Sequence, residues 1–145
     1  MEIKKINSEL FFIRLEKNEE IINSLKNFAK RNKIKGAFFW GIGAGKDFLL
    51  GYYDLKKKKY LKRKIKKECE IVSLLGNISH GKDEIFVHTH LTIADKNFKI
   101  FGGHLFSGLV SVTLEIFLFK IKIKLNRQLF PEIGLNLITF KKSHQ

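Results

Sequence analysis

The clearest chemistry in the sequence lies in three histidines: His88 and His90 in His88-Thr89-His90, and His104 in Gly102-Gly103-His104. Side chains alternate along an extended strand, so His88 and His90 project from one face of a strand that contains both. Glu84 to Ala94 and Phe98 to Phe106 read as two strands joined at Asp95-Lys96-Asn97, residues suited to a reversal, with Asn97 tolerant of positive φ. Pairing Ala94 with Phe98 sets His88 opposite His104 and gathers three imidazoles on one face. Three imidazoles with an open fourth position suit Zn²⁺, which there polarises a water or binds an exogenous anion. With Glu84, Asp95 or Glu115 nearby, such a site could be a metal-dependent enzyme acting on a small anionic metabolite, but the sequence does not say which carboxylate would be the base. The metal could equally tie the hairpin together, and the histidines could instead be satisfied by hydrogen bonds on a polar sheet face.

Something must hold these strands. Glu9 to Leu15 reads as a first strand, followed by Asn18 as an N-cap and a helix whose Ile21, Ile22, Leu25, Phe28 and Ala29 form one apolar stripe. Glu19 and Glu20 stand at its positive end, Lys30, Arg31 and Lys33 at its negative end, and Gly36 just beyond. Short β-branched or aromatic segments follow: Gly36 to Gly43, Phe48 to Tyr53, Lys59 to Ile65, Glu70 to Ile78, Glu84 to Ala94, Lys99 to Phe106, Val110 to Ile123 and Leu135 to Phe140. One helix and a run of antiparallel strands predict an α+β fold, a helix packed on a curled sheet. Gly41-Ile42-Gly43-Ala44-Gly45-Lys46-Asp47 is no phosphate loop. Trp40 and Asp47 occupy positions where a P-loop needs Gly and Ser or Thr, so close backbone approach at a strand end explains the glycines.

With 145 residues, 44% of them hydrophobic, including 14 Phe, the chain is expected to be one domain with its own core, needing no metal to fold. Cys69 is the only cysteine and no signal-peptide pattern opens the sequence, which leads us to expect a reducing cytoplasm. No apolar run approaches a membrane span. The 28 Lys and Arg against 14 Asp and Glu give a net charge of +14, which favours polyanions. Only Arg14, Arg31, Arg63 and Arg127 are arginines, so the charge comes with little base-reading capacity. Nine basic residues crowd one twelve-residue stretch: Lys56, Lys57, Lys58, Lys59, Lys62, Arg63, Lys64, Lys66 and Lys67. They read as a solvated hairpin edge that blocks aggregation, or as a sequence-indifferent nucleic-acid surface. Lys120, Lys122 and Lys124, alternating with Ile121 and Ile123, suggest a second basic line on one strand face.

The order of several motifs resembles a known family. Phe11 to Leu15 with its acidic-start helix, Gly41-Ile42-Gly43-Ala44, Gly51-Tyr52-Tyr53-Asp54, Glu70 to Ile78, Val87-His88-Thr89-His90-Leu91, Ala94-Asp95 and Phe101-Gly102-Gly103-His104-Leu105 together are similar to the plants-and-prokaryotes-conserved (PPC) domain, over roughly Leu10 to Leu125. The domain occurs alone in bacteria and archaea and is joined to AT-hooks in plant nuclear proteins. The resemblance implies a single helix on an antiparallel sheet, a homotrimer, and a metal held by the histidines matching His88, His90 and His104. It also implies a regulatory role through DNA or through recruited proteins. The AT-hook itself requires Arg-Gly-Arg-Pro, whereas the one proline, Pro131, lies in Leu129-Phe130-Pro131-Glu132. Glu70 to Ile78 matches the partner-recruiting segment of plant members, although Lys67-Glu68-Cys69 before it departs from their pattern. Residues 126–145 form a C-terminal extension, an edge strand burying Leu135, Leu137 and Phe140 or part of a trimer contact, with His144 too near the end to be a ligand.

Overall fold

The computed structural model describes residues 1–82 and 84–140. His144 lies outside the described residues. Strand β1 (Glu2–Lys5) pairs antiparallel with β2 (Leu10–Glu16), on which Phe11, Ile13 and Leu15 alternate into the core. Helix α1 (Ile21–Arg31) buries the whole predicted stripe. Its cap differs from expectation. Glu20 is the N-cap, its Oε accepting from the Asn23 amide at 2.7 Å and from Gly108 N–H at 3.1 Å. Asn18 instead takes φ 69° in the preceding turn and donates its amide to Val110 O at 2.8 Å. A carboxylate that satisfies both a helix N–H and a strand N–H outcompetes the shorter Asn side chain.

The strands of the sheet are longer than the sequence suggests. β3 (Gly36–Asp54) joins two predicted segments, and β7 (Ile100–Ile121) joins two more. Glycines and register shifts bend these strands without ending them, with breaks in pairing near Gly43, Gly45 and Asp47. Close backbone approach is real but lies mid-strand. A Cβ on Gly43 would stand 2.1 Å from Thr113 O, and one on Gly41 2.5 Å from Glu115 O. β4 (Lys59–Ile65) returns from a turn to pair with β3 alone, while β5 (Cys69–His80) pairs with β3 and with β6 (Ile85–Ala94). Because β6 also pairs with β7, and β7 with β3, these four long strands close on themselves. Phe39, Ile71, Leu74, Leu91, Ile93, Leu105 and Ile116 are buried with the helix stripe in one apolar cluster.

Two further strands complete the chain, β8 (Asn126–Phe130) and β9 (Leu135–Thr139), an antiparallel hairpin attached to β5 by a single parallel bridge from His80 to Asn126. The predicted C-terminal strand is therefore present, with Leu135 and Leu137 half-buried, but Phe140 is 73% exposed. Lys120, Lys122 and Lys124 do not share a strand face. β7 stops at Ile121, and Lys122 instead approaches Glu9 at 3.7 Å.

Candidate metal centre

His88 and His90 lie on β6 with Thr89 between them. Thr89 points inward, 1% exposed, and donates to Leu75 O at 2.8 Å, which fixes both histidines on the outer face. In the β6–β7 ladder His90 faces His104 and Ala94 faces Ile100. The predicted register, His88 opposite His104, is thus displaced by two residues. The connection is longer than three residues because Asp95 folds it: Oδ1 accepts from the amides of Asn97 at 2.9 Å and Lys99 at 3.0 Å, and Phe98, not Asn97, takes φ 59°. A two-residue displacement keeps the face, so the three imidazoles still converge.

The ring centroids stand 5.2 Å (His88 to His90), 5.2 Å (His88 to His104) and 5.6 Å (His90 to His104) apart. One nitrogen from each ring lies within 4.8 Å of the others. A tetrahedral zinc holds its nitrogens about 3.4 Å apart, given bonds of about 2.0–2.1 Å, and modest side-chain rotation covers the difference. His88 and His104 are half-buried, and His90 is exposed. Burial is the main cause that lowers the pKa of His88 to about 4, helped by Arg127 and His90. Burial likewise brings His104 to about 4, with His88, His90, Arg127 and Lys62 adding to it. Both are neutral near pH 7, the form whose lone pair can bind a metal. His104 Nδ1 is buried without a hydrogen-bond partner among the described residues. An orphaned imidazole nitrogen is costly, and a three-nitrogen donor set fits a zinc ion that would relieve it.

The three carboxylates considered as bases stand elsewhere. Asp95 is 6% exposed and engaged by its turn and by the Lys67 ammonium. Glu115 lies opposite Ile42 and Arg14, and Glu84 lines a groove with Lys82 and Gln128 that adjoins the histidines only through Phe86, Arg127 and Asn136. The nine basic residues are all exposed, spread over the turn before β4, β4 itself and the residues after it. Lys62 sits over the Phe106 ring at 4.2 Å, Arg63 over Phe101 at 5.6 Å, and Lys58 donates to Pro131 O at 2.9 Å.

Sequence reasoning missed Arg127 and the role of Tyr60. Both line a cavity of about 270 Å³ with His88 and His104. The Tyr60 ring is 5.0 Å from that of His104, and burial raises its hydroxyl pKa. Arg127 comes from β8, far from the histidines in sequence, and no local pattern could have linked them. His80 takes no part in the cluster; its Nε2 pairs with Ile34 O at 2.9 Å.

The comparisons agree with this architecture. Residues 4–122 match the model of the Plants and Prokaryotes Conserved (PCC) domain. A Bacteroides thetaiotaomicron protein provisionally named as DNA-binding is 27% identical, with a TM-score of 0.92, over 97% of this chain and 98% of its own. A Pyrococcus horikoshii plant- and prokaryote-conserved protein is 33% identical (TM-score 0.85; 97% of this chain, 95% of its own). An Archaeoglobus fulgidus protein described as metal-containing is 30% identical (TM-score 0.85; 96% of each chain). No curated protein matches. With the α+β fold, the ordered motifs and the family match in agreement, the chain belongs to the Plants and Prokaryotes Conserved domain family.

Proposed function

We propose that the protein is a homotrimeric, zinc-binding module of the cytoplasm that performs no catalysis itself and regulates by associating with DNA or recruiting another protein. The observation that carries the reading is the meeting of His88, His90 and His104 on one face, each offering a nitrogen within 4.8 Å of the others. These three would hold the ion and leave its fourth position to water or an anion. The metal-containing relative from Archaeoglobus supports the ion, and the Bacteroides relative supports DNA.

An apolar outer face supports the trimer. Phe38, Trp40 and Phe117 are 47%, 41% and 39% exposed, and they stack with centroids 5.6 Å apart for both Phe38–Trp40 and Trp40–Phe117. Trp40 faces Leu75 and Leu75 faces His90, so this apolar row runs into the histidine cluster. A contiguous exposed patch of this kind is costly in a lone protomer and is covered by association. Three copies would also triple the basic surface, and sequence-indifferent DNA contact would then rest on Lys56, Lys59, Lys62, Arg63, Lys64 and Lys66, with Lys57, Lys58 and Lys67 partly engaged within the chain.

The test is light-scattering mass together with retention on duplex DNA at rising salt. A mass near three chains and retention that falls steeply with salt support the reading. A monomeric mass contradicts it, and retention that is absent or indifferent to salt contradicts the DNA association and leaves protein recruitment. One observation favours a second reading, a metal-dependent enzyme for a small anion: the cavity beside the histidines carries Arg127.

A further inference from the structure

The cavity beside the imidazoles is walled by a segment that the family match does not reach. That match ends at residue 122, and the β8–β9 hairpin beyond it supplies Arg127, Leu135 and Leu137 to the space that His88 and His104 also line. The hairpin is fastened from outside: Tyr53 OH donates to Ile133 O at 2.6 Å, Lys58 Nζ to Pro131 O at 2.9 Å, and His80 N–H to Leu125 O at 2.8 Å. Its tip at Gly134, φ 80°, lies so close to Tyr53 that a Cβ there would stand 2.9 Å from the phenol oxygen.

Arg127 is held by neutral groups only. Nε donates to Ser79 Oγ at 2.7 Å, Nη1 to Asn136 O at 2.7 Å and Nη2 to Asn77 Oδ1 at 3.1 Å. Each terminal nitrogen keeps one further N–H that a carboxylate oxygen can accept. Asn77 faces His88 across the β5–β6 ladder, which sets this guanidinium beside the histidine cluster. Among the described residues, no carboxylate pairs with Arg127 and none lines the cavity. A divalent ion on three imidazole nitrogens beside a guanidinium that no described carboxylate pairs with makes a site of positive potential, which an anion would compensate. The remaining wall is mostly apolar, the rings of Tyr60, Phe86 and Phe106 alongside the two leucines, with Asn136 and the Tyr60 hydroxyl as its polar groups.

We propose that this cavity binds a small organic carboxylate, its charged end between the Arg127 guanidinium and a metal held by His88, His90 and His104, its apolar body against the aromatic wall. The proposal rests on the metal reading above. The space of about 270 Å³ sets the size at a compact molecule.

The test loads the full chain with Co²⁺, measures cobalt content, and follows the visible cobalt bands during titration with benzoate, with benzamide and inorganic phosphate as comparators. Benzoate is expected to shift the bands saturably, benzamide and phosphate to bind at least about tenfold more weakly, and Arg127→Met to weaken benzoate by about tenfold or more while retaining cobalt. If Arg127→Met fails to fold or to retain cobalt, the benzoate and benzamide comparison on the unaltered chain decides alone. Equal binding of benzoate and benzamide, phosphate binding as well as benzoate, or a folded Arg127→Met protein with unchanged benzoate affinity overturns the proposal. Cobalt uptake without any response to benzoate overturns this proposal and leaves the metal reading standing. Failure of the unaltered chain to take up cobalt overturns both.

Discussion

His90 lies directly opposite His104 in the β6–β7 ladder, their rings at 85° to one another and their centroids 5.6 Å apart. His88 reaches the same point from two residues along, because the pleat returns every second side chain to the same face. The cluster thus depends on strand parity and on the connection at Asp95, and it joins residues from two strands without any loop contributing a histidine.

Asp95 anchors that connection, which makes its charge a pH-sensitive part of the fold. The Lys67 ammonium holds the carboxyl below its usual range, and the amides of Asn97 and Lys99 add to this against the opposing effect of burial. The folded state therefore binds this proton less readily than the unfolded chain. The contribution to stability is fully present above the unfolded pKa, about 3.9, and is lost as pH falls through the lower folded value. Denaturant unfolding of the wild type and Asp95→Asn should differ by a constant amount above about pH 5, with the gap closing below about pH 4. A gap that widens in acid would contradict this assignment.

Phe28 is fully buried and meets Phe11 edge-on, with centroids 5.3 Å apart at 77°. It carries the helix stripe onto the sheet. Phe28→Ala should lower the unfolding free energy by about 3–5 kcal/mol, read from urea denaturation. A loss under about 1 kcal/mol would mean that the helix packs loosely.

Gly43 allows β3 and β7 to approach where their pairing shifts. Alanine there would put its Cβ 2.1 Å from Thr113 O and 2.7 Å from Leu114 Cα, both backbone atoms that cannot swing aside. Gly43→Ala should cost about 3 kcal/mol, at the upper end for overpacking, and lower the thermal midpoint accordingly. An unchanged midpoint would show that the strands can part without loss.

Trp40 lies in the exposed stacked row between Phe38 and Phe117. Trp40→Glu should convert the proposed trimer to protomers in light scattering, because a buried unpaired carboxylate opposes association, while the far-UV spectrum of each protomer stays the same. Retention of the assembled mass would place the contact on another face.

The histidine face was legible in the sequence because it needs only strand periodicity, and the helix stripe because five apolar residues recur at helical spacing. The turn at Asp95 was misread in length, since Asp95 closes a wider loop through two amides where a three-residue reversal was expected. The merging of segments into β3 and β7 was hidden for a related reason. Gly43, Gly45 and Asp47 look like terminators, yet they bend strands whose other residues stay paired. β1 escaped notice because Glu2 to Lys5 are all exposed and show no alternation of burial. Arg127 could not be placed beside His88 at all, because that contact depends on where the terminal hairpin docks and not on any local pattern.

The most direct test of the central claim is elemental analysis of tag-free protein alongside the His88→Ala, His90→Ala, His104→Ala triple variant. About one zinc per chain is expected in the wild type, and none in a triple variant that remains folded. Zinc absent from both after exposure to the metal, or retained in full by the variant, would contradict it.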